Sequence, residues 1–150
     1  FFDAGALWMY QDYRPMESCF PMVLKGKVVS GLGEGRFFTE LPWARKQFMD
    51  KLGIDPYPGT LNLRLDNPQI LRQWEKVKSL PGIMIAPPPK EGFCNGRCFS
   101  ILIEGRVRGA IVFPEVPGYP AEKLEIIAAC ILKEVLNIKD GEEIRIDVMG

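Results

Sequence analysis

Residues 59–65 read GTLNLRL, an unbroken alternation of leucine with other residues. A strand puts successive side chains on opposite faces, so Leu61, Leu63 and Leu65 face a core. Thr60, Asn62 and Arg64 then share the other face. The runs MVLKGKVVS, GIMIAPPP, CFSILIE, VRGAIVFP, KLEIIAA and EIRIDV are equally short, and proline, glycine or an Asp-Gly pair bounds most of them. FCNGRCF reads as a hairpin-like turn around Asn95-Gly96, and Gly105-Arg106 separates another antiparallel pair.

Helical signals are brief by comparison. Pro42 opens a stretch in which Ala44, Phe48 and Leu52 recur at four-residue spacing before Gly53 ends it. Asn67-Pro68 pairs a cap with a first-turn residue, ahead of a helix that puts Ile70, Trp74 and Val77 on one side. ILKEVL suits a short helix. About six or more short strands with small helical insertions predict a mainly β chain folded as a compact barrel.

At 150 residues, one domain is the economical reading. We expect it to span 22–150, with Met22 a plausible first residue and 1–21 an N-terminal extension of uncertain structure. Nineteen basic residues balance nineteen acidic ones, which disfavours bulk electrostatic binding of nucleic acid. No apolar run reaches the roughly 18–20 residues that span a bilayer. The four cysteines are too scattered for a secreted disulfide framework, so a reduced, cytoplasmic setting is expected. No signal in the chain points to a protein partner.

The chain contains no histidine. Proton transfer therefore falls to a carboxylate, Lys, Tyr or Cys, and a catalyst built here works mainly by positioning and electrostatics. Two stretches fit that style of chemistry. Thr60 and Asn62 offer a hydroxyl and an amide carbonyl two residues apart, both able to bind a hard cation such as Mg²⁺. Both are neutral, so substrate phosphates would have to complete the charge compensation. Pattern alone leaves open the plainer reading, a polar pair on the wet side of a half-buried strand.

The second stretch is VSGLGEGRFF, residues 29–38. It has neither the Lys-Ser/Thr of a Walker loop nor an immediate helix, and it lacks the dinucleotide fingerprint. Gly31, Gly33 and Gly35 permit close approach of a ligand, successive amides there can form an anion nest, and Arg36 adds charge. A plain glycine turn is the alternative.

Taken in order, VSGLGEGRFF, the Pro-led helix, PYPGTLNLRLD, RGAIVFP, LEIIAA and LNIKDGEEIRIDV resemble the archaeal CTP-dependent riboflavin kinase family over roughly residues 24–148. The resemblance implies a six-stranded cradle-loop β-barrel. It also implies Mg²⁺-assisted transfer of the CTP γ-phosphate to the riboflavin 5′-hydroxyl, giving FMN and CDP. By resemblance, Gly31, Leu32, Gly33, Glu34, Gly35 and Arg36 surround the nucleotide, as do Cys130, Ile131, Leu132 and Lys133. Thr60 and Asn62 match the metal-holding pair. Glu125 matches a flavin-contacting glutamate; it could also accept a hydrogen bond or proton from the attacking hydroxyl, and alternation puts it opposite Leu124 and Ile126.

Three positions depart from the family pattern. Pro117 stands where a threonine contacts the flavin phosphate, and Ala129 and Ile131 stand where a proline and a basic residue are often found. Residues 1–21 are too short for the winged-helix extension of some members. Two other classes compete with the enzyme: a non-catalytic flavin- or nucleotide-binding barrel, and a partner-binding module using Arg36, Arg64, Arg106 and Arg108. Cys94 and Cys98 read as incidental thiols of a hairpin rather than a metal or redox pair.

Overall fold

Strand β1 (Met22–Val29) alternates buried and exposed side chains, and its buried set fixes how it joins the sheet. The computed structural model describes residues 22–31, 34–89 and 92–149. Six further strands follow: β2 (Leu61–Arg64), β3 (Ile83–Ile85), β4 (Gly96–Ile103), β5 (Val107–Pro114), β6 (Lys123–Ala128) and β7 (Glu143–Val148). Neighbours run β4-β5-β6-β2-β1-β7, and pairing of β4 with β7 closes the ring into a six-stranded antiparallel barrel. β3 is a seventh strand outside that ring. Gly96 to Cys98 of β4 pair with β3, whereas Ile101 to Ile103 pair with β7, so one long strand serves two neighbours. The mainly β barrel expected from the sequence is present.

Leu24, Val28, Leu63, Ile101, Ile103, Ile111, Leu124, Ile126 and Ile146 fill the barrel. The Leu61, Leu63 and Leu65 stripe is buried as the alternation requires. Helix α3 (Pro68–Lys78) adds Trp74 and Val77 to this core. Its start is capped by Asn67, whose side chain accepts from the backbone N–H of Gln69 at 2.8 Å and of Ile70 at 3.3 Å.

A second core lies on the outside of the sheet. Helix α1 (Glu34–Glu40) leads to α2 (Pro42–Gln47), which runs on into a π-helical turn, Phe48–Leu52. Ala44, Phe48 and Leu52 pack on Ile85, Cys98, Ala110, Val112 and Ile127. Gly109 to Val112 are buried without alternation because they sit between the two cores. Gly53, at φ 69°, ends the insertion in the left-handed conformation that favours glycine. The outer edge of β3 is not left open: Gln47 donates to the carbonyl of Ala86 and accepts from its N–H, and Lys51 donates to the carbonyl of Met84.

Two local expectations need correction. A helix does follow the glycine stretch directly, since α1 begins at Glu34. Its sequence propensity is poor, but Phe38 is held edge-on by Trp43 and Phe48, each with ring centroids 5.9 Å away. Asn95-Gly96 is not a hairpin turn. Gly96 is already in β4, paired with Ile85 and Pro114, and residues 86–95 make the connection from β3. Arg97 pairs with Met84 on one side and Phe113 on the other, so no place is left for the pairing with Cys94 that a two-residue turn requires. The expected extension 1–21 lies outside the described residues. No helix among the described residues is long and apolar enough to cross a membrane.

Candidate active site

Strand pairing alone assembles a polar spot on the outer face. Ile83 pairs with Cys98, Cys98 with Val112, Val112 with Glu125, Glu125 with Asn62, and Asn62 with Val29. Paired residues in an antiparallel sheet point to the same side, so Asn62 and Glu125 interrupt an otherwise apolar row. Asn62 is 7% exposed, unusually buried for an amide side chain. Its Nδ2 makes one long bond to the carbonyl of Thr60, 3.4 Å, and no donor among the described residues serves its Oδ1. Gly31 lies directly against it: a Cβ there would stand 2.1 Å from Asn62 Nδ2. The start of the glycine stretch and the Thr-x-Asn strand thus meet at one point.

Glu125 is engaged at both oxygens. Thr60 Oγ1 donates to Oε1 at 3.3 Å, and the Tyr119 hydroxyl donates to Oε2 at 2.5 Å. Burial, then the bond to Glu125, push the Tyr119 hydroxyl well above its ordinary pKa, so it remains a donor. Thr39, 2% exposed, accepts from the Gly59 N–H at 2.9 Å and donates to the Arg36 carbonyl at 3.0 Å. It ties the loop entering β2 to α1, which sets where Thr60 begins.

Two cavities meet Thr60. One, of about 260 Å³, is walled by Phe38, Phe93, Val112, Val116 and Tyr119, with Glu125 at its polar end. The other, of about 240 Å³, is bounded by Tyr57, Ile126, Cys130, Ile131, Leu132 and Lys133. Thr60 lines both. The first, walled by rings, suits a flat apolar ring system with a polar tail, and the second suits a group reached by the Lys133 ammonium.

The remaining sequence candidates distribute unevenly around this centre. Cys130, Ile131, Leu132 and Lys133 line the second cavity through the approach to α4 (Leu132–Val135). Lys133 is paired with Asp140 at 2.7 Å, and Asp140 also accepts from Ser30 at 2.5 Å. Those bonds, to Lys133 first and Ser30 second, hold the Asp140 carboxyl below its usual range. They also tie the 130–133 wall to the end of β1. Arg36 is exposed and paired with Glu40 at 3.3 Å. Glu34 and Gly35 belong to the first turn of α1, and Leu32 and Gly33 lie outside the described residues.

Pro117 is not part of the cavity wall, although Val116 and Tyr119 are. Tyr119 N–H donates to the Val116 carbonyl at 3.3 Å across a turn with Gly118 at φ 83°. Proline second and a positive-φ glycine third is the type II pattern, so Pro117 shapes the turn that delivers Tyr119. Tyr119, Thr39 and the aromatic wall escaped the sequence reading. Val-Pro-Gly-Tyr was a usable turn signal; Thr39 carried none. Cys94 is exposed on the first cavity, while Cys98 is buried in the outer core, and both are free thiols. Burial pushes the Cys98 thiol up to about 12.

Among the described residues no group of three His, Cys, Asp or Glu could hold a metal ion. The donor set that remains is the Thr60 hydroxyl and the Asn62 Oδ1, both hard oxygens, with Glu125 beside them. These fit Mg²⁺ when phosphate oxygens supply the opposing charge.

The family model for CTP-dependent riboflavin kinase, described as a domain of unknown function (DUF120), matches residues 28–148. The chain is 41% identical to a riboflavin kinase of Methanocella arvoryzae over 96% of this chain and 67% of that one. It is 37% identical to one of Archaeoglobus fulgidus over 98% of this chain and 65% of that one. Against one of Pyrobaculum aerophilum it is 41% identical over 84% of this chain and 60% of that one. It thus spans about two thirds or less of these relatives' length. The match over 28–148 takes in the glycine stretch and every strand from β2 to β7, and the chain belongs to the CTP-dependent riboflavin kinase family.

Proposed function

We propose that this chain phosphorylates riboflavin at its 5′-hydroxyl with CTP as donor, giving FMN and CDP in the cytoplasm. The observation that carries the reading is the sharing of Thr60 between two cavities of different character. Phosphoryl transfer needs two substrates approaching one point from opposite sides, with charge neutralised where they meet. The larger cavity, with its aromatic walls, suits the isoalloxazine ring, and its polar end at Glu125 suits the ribityl chain. The smaller cavity suits the cytidine nucleotide, with Lys133 available to its phosphates once Asp140 shares it.

Mg²⁺ held by Thr60 and Asn62 would supply charge neutralisation on the transferring phosphate. The protein's own contribution is placement. Thr39 holds the Gly59–Thr60 segment and Gly31 leaves room beside Asn62; an isoalloxazine ring against the aromatic wall would displace water there. Glu125 is within reach of the ribityl end and able to accept a hydrogen bond from the attacking hydroxyl. A chain without histidine asks for no more than this.

The test is incubation with riboflavin, Mg²⁺ and each nucleoside triphosphate in turn, with chromatography for FMN. FMN formed chiefly with CTP is the expected result. Riboflavin binding without FMN from any donor would leave a flavin-binding barrel instead.

A further inference from the structure

Resting on the riboflavin-phosphorylation reading, we propose that Tyr119 is a positioning residue that sets which lone pairs of Glu125 and Thr60 face the substrates. The direction of each hydrogen bond carries the inference. At Glu125 both the Tyr119 and the Thr60 hydroxyls donate, at 2.5 and 3.3 Å, and the two carboxyl oxygens accept. A threonine hydroxyl has one hydrogen and two lone pairs. With its hydrogen committed to Glu125, Thr60 presents only acceptors to the space between the two cavities. That is the polarity a cation or a cation-bound phosphate requires.

The arrangement depends on Glu125 staying in one rotation, and the terminal torsion of a glutamate is broad. The short bond from Tyr119 removes that freedom. Tyr119 is itself fixed from several sides. The Val116–Tyr119 turn sets its backbone, Phe113 meets its ring edge-on at 5.9 Å, and the Lys123 ammonium sits 5.5 Å from the ring centroid. Phe113 is packed in turn against Trp74 of α3 at 5.9 Å, which anchors the turn to the barrel core. No other side chain among the described residues donates to Glu125 Oε2. Nothing in the family resemblance assigns Tyr119 a role.

The experiment compares wild type with Tyr119→Phe, Glu125→Gln and the double variant, with thermal melts to check folding. Tyr119→Phe keeps the ring and loses the hydroxyl, and a bond to a charged group is lost, so kcat should fall about tenfold or more. The riboflavin KM should move by less than about threefold, because the ring wall is unchanged. If Tyr119 acts through Glu125, the double variant is no slower than Glu125→Gln alone. Wild-type kcat in Tyr119→Phe, or losses that multiply in the double variant, would overturn the proposal.

A substrate-free arm separates this from the kinase reading. The Tyr119 Cζ resonance in NMR should shift on Glu125→Gln and stay put on Glu122→Gln, a control in the same loop. An unmoved resonance overturns the positioning role. A shifted resonance in a protein that makes no FMN counts against the kinase reading alone.

Discussion

Asn62 shows how one buried side chain concentrates the chemistry. At 7% exposure its amide keeps one long bond, from Nδ2 to the Thr60 carbonyl at 3.4 Å, so its Oδ1 remains available to a ligand. Thr60→Ala and Asn62→Ala should keep the fold, since neither side chain enters the leucine stripe, yet each should slow FMN formation about 10²-fold by misplacing the phosphates. Turnover measured across Mg²⁺ concentration checks this, and wild-type rates at limiting Mg²⁺ would remove the pair from the site. Cys98 makes an independent prediction at the same scale. Its folded pKa is raised from 9.0 to about 12 by burial, so above pH 9 the unfolded chain loses its thiol proton first. The thiol's contribution to stability is therefore complete below about 9 and declines as pH rises toward 12, at up to about 1.4 kcal/mol per pH unit. Urea melts of wild type and Cys98→Ala across that range should differ in slope, and native-state alkylation at pH 8 should label Cys94 while sparing Cys98.

Helix α3 owes its start to a local motif and its place to packing. Asn67 satisfies two of the N-terminal donors, Pro68 suits the first turn, and Trp74 and Val77 bury its inner side. Asn67→Ala should cost about 1 kcal/mol, which for a chain of this size lowers the melting temperature by roughly 2–4 °C. Calorimetry measures it; an unchanged melting point would mean that solvent or another side chain serves the same donors. The α1–α2 insertion differs in kind. Its inward stripe of Ala44, Phe48 and Leu52 has no use except against the outer face of the sheet, so the insertion and that face stabilise each other.

For the whole molecule, two cores on either side of one sheet imply two levels of stability. The interior holds the closed barrel together; the outer core holds the helical insertion, whose Phe38 lines the cavity beside Glu125. Phe48 is fully buried in the outer core, so Phe48→Ala should cost about 3–5 kcal/mol. The loss should fall first on the insertion: hydrogen exchange of α1 and α2 amides should accelerate before that of the β1, β2 and β6 amides. Uniform acceleration would show that the insertion and barrel unfold as one unit.

What the sequence alone determined is what neighbours along the chain can decide. Strand alternation put Leu61, Leu63 and Leu65 inward and Glu125 opposite Leu124 and Ile126; Asn67-Pro68 and Gly53 marked helix ends; long ordered motifs carried the family. These follow from backbone periodicity and capping, which act over a few residues. What only the tertiary structure decided involves partners far apart. Thr60 and Glu125, 65 positions apart, meet because β2 and β6 pair in the register that sets Asn62 opposite Glu125. A shift of one residue would send both to the other face. The bond from Tyr119 to Glu125, the pinning of Gly59 by Thr39 and the helix at Glu34 arise in the same way. Local propensity either is silent at those positions or points elsewhere, and packing against distant residues supplies the free energy that selects them.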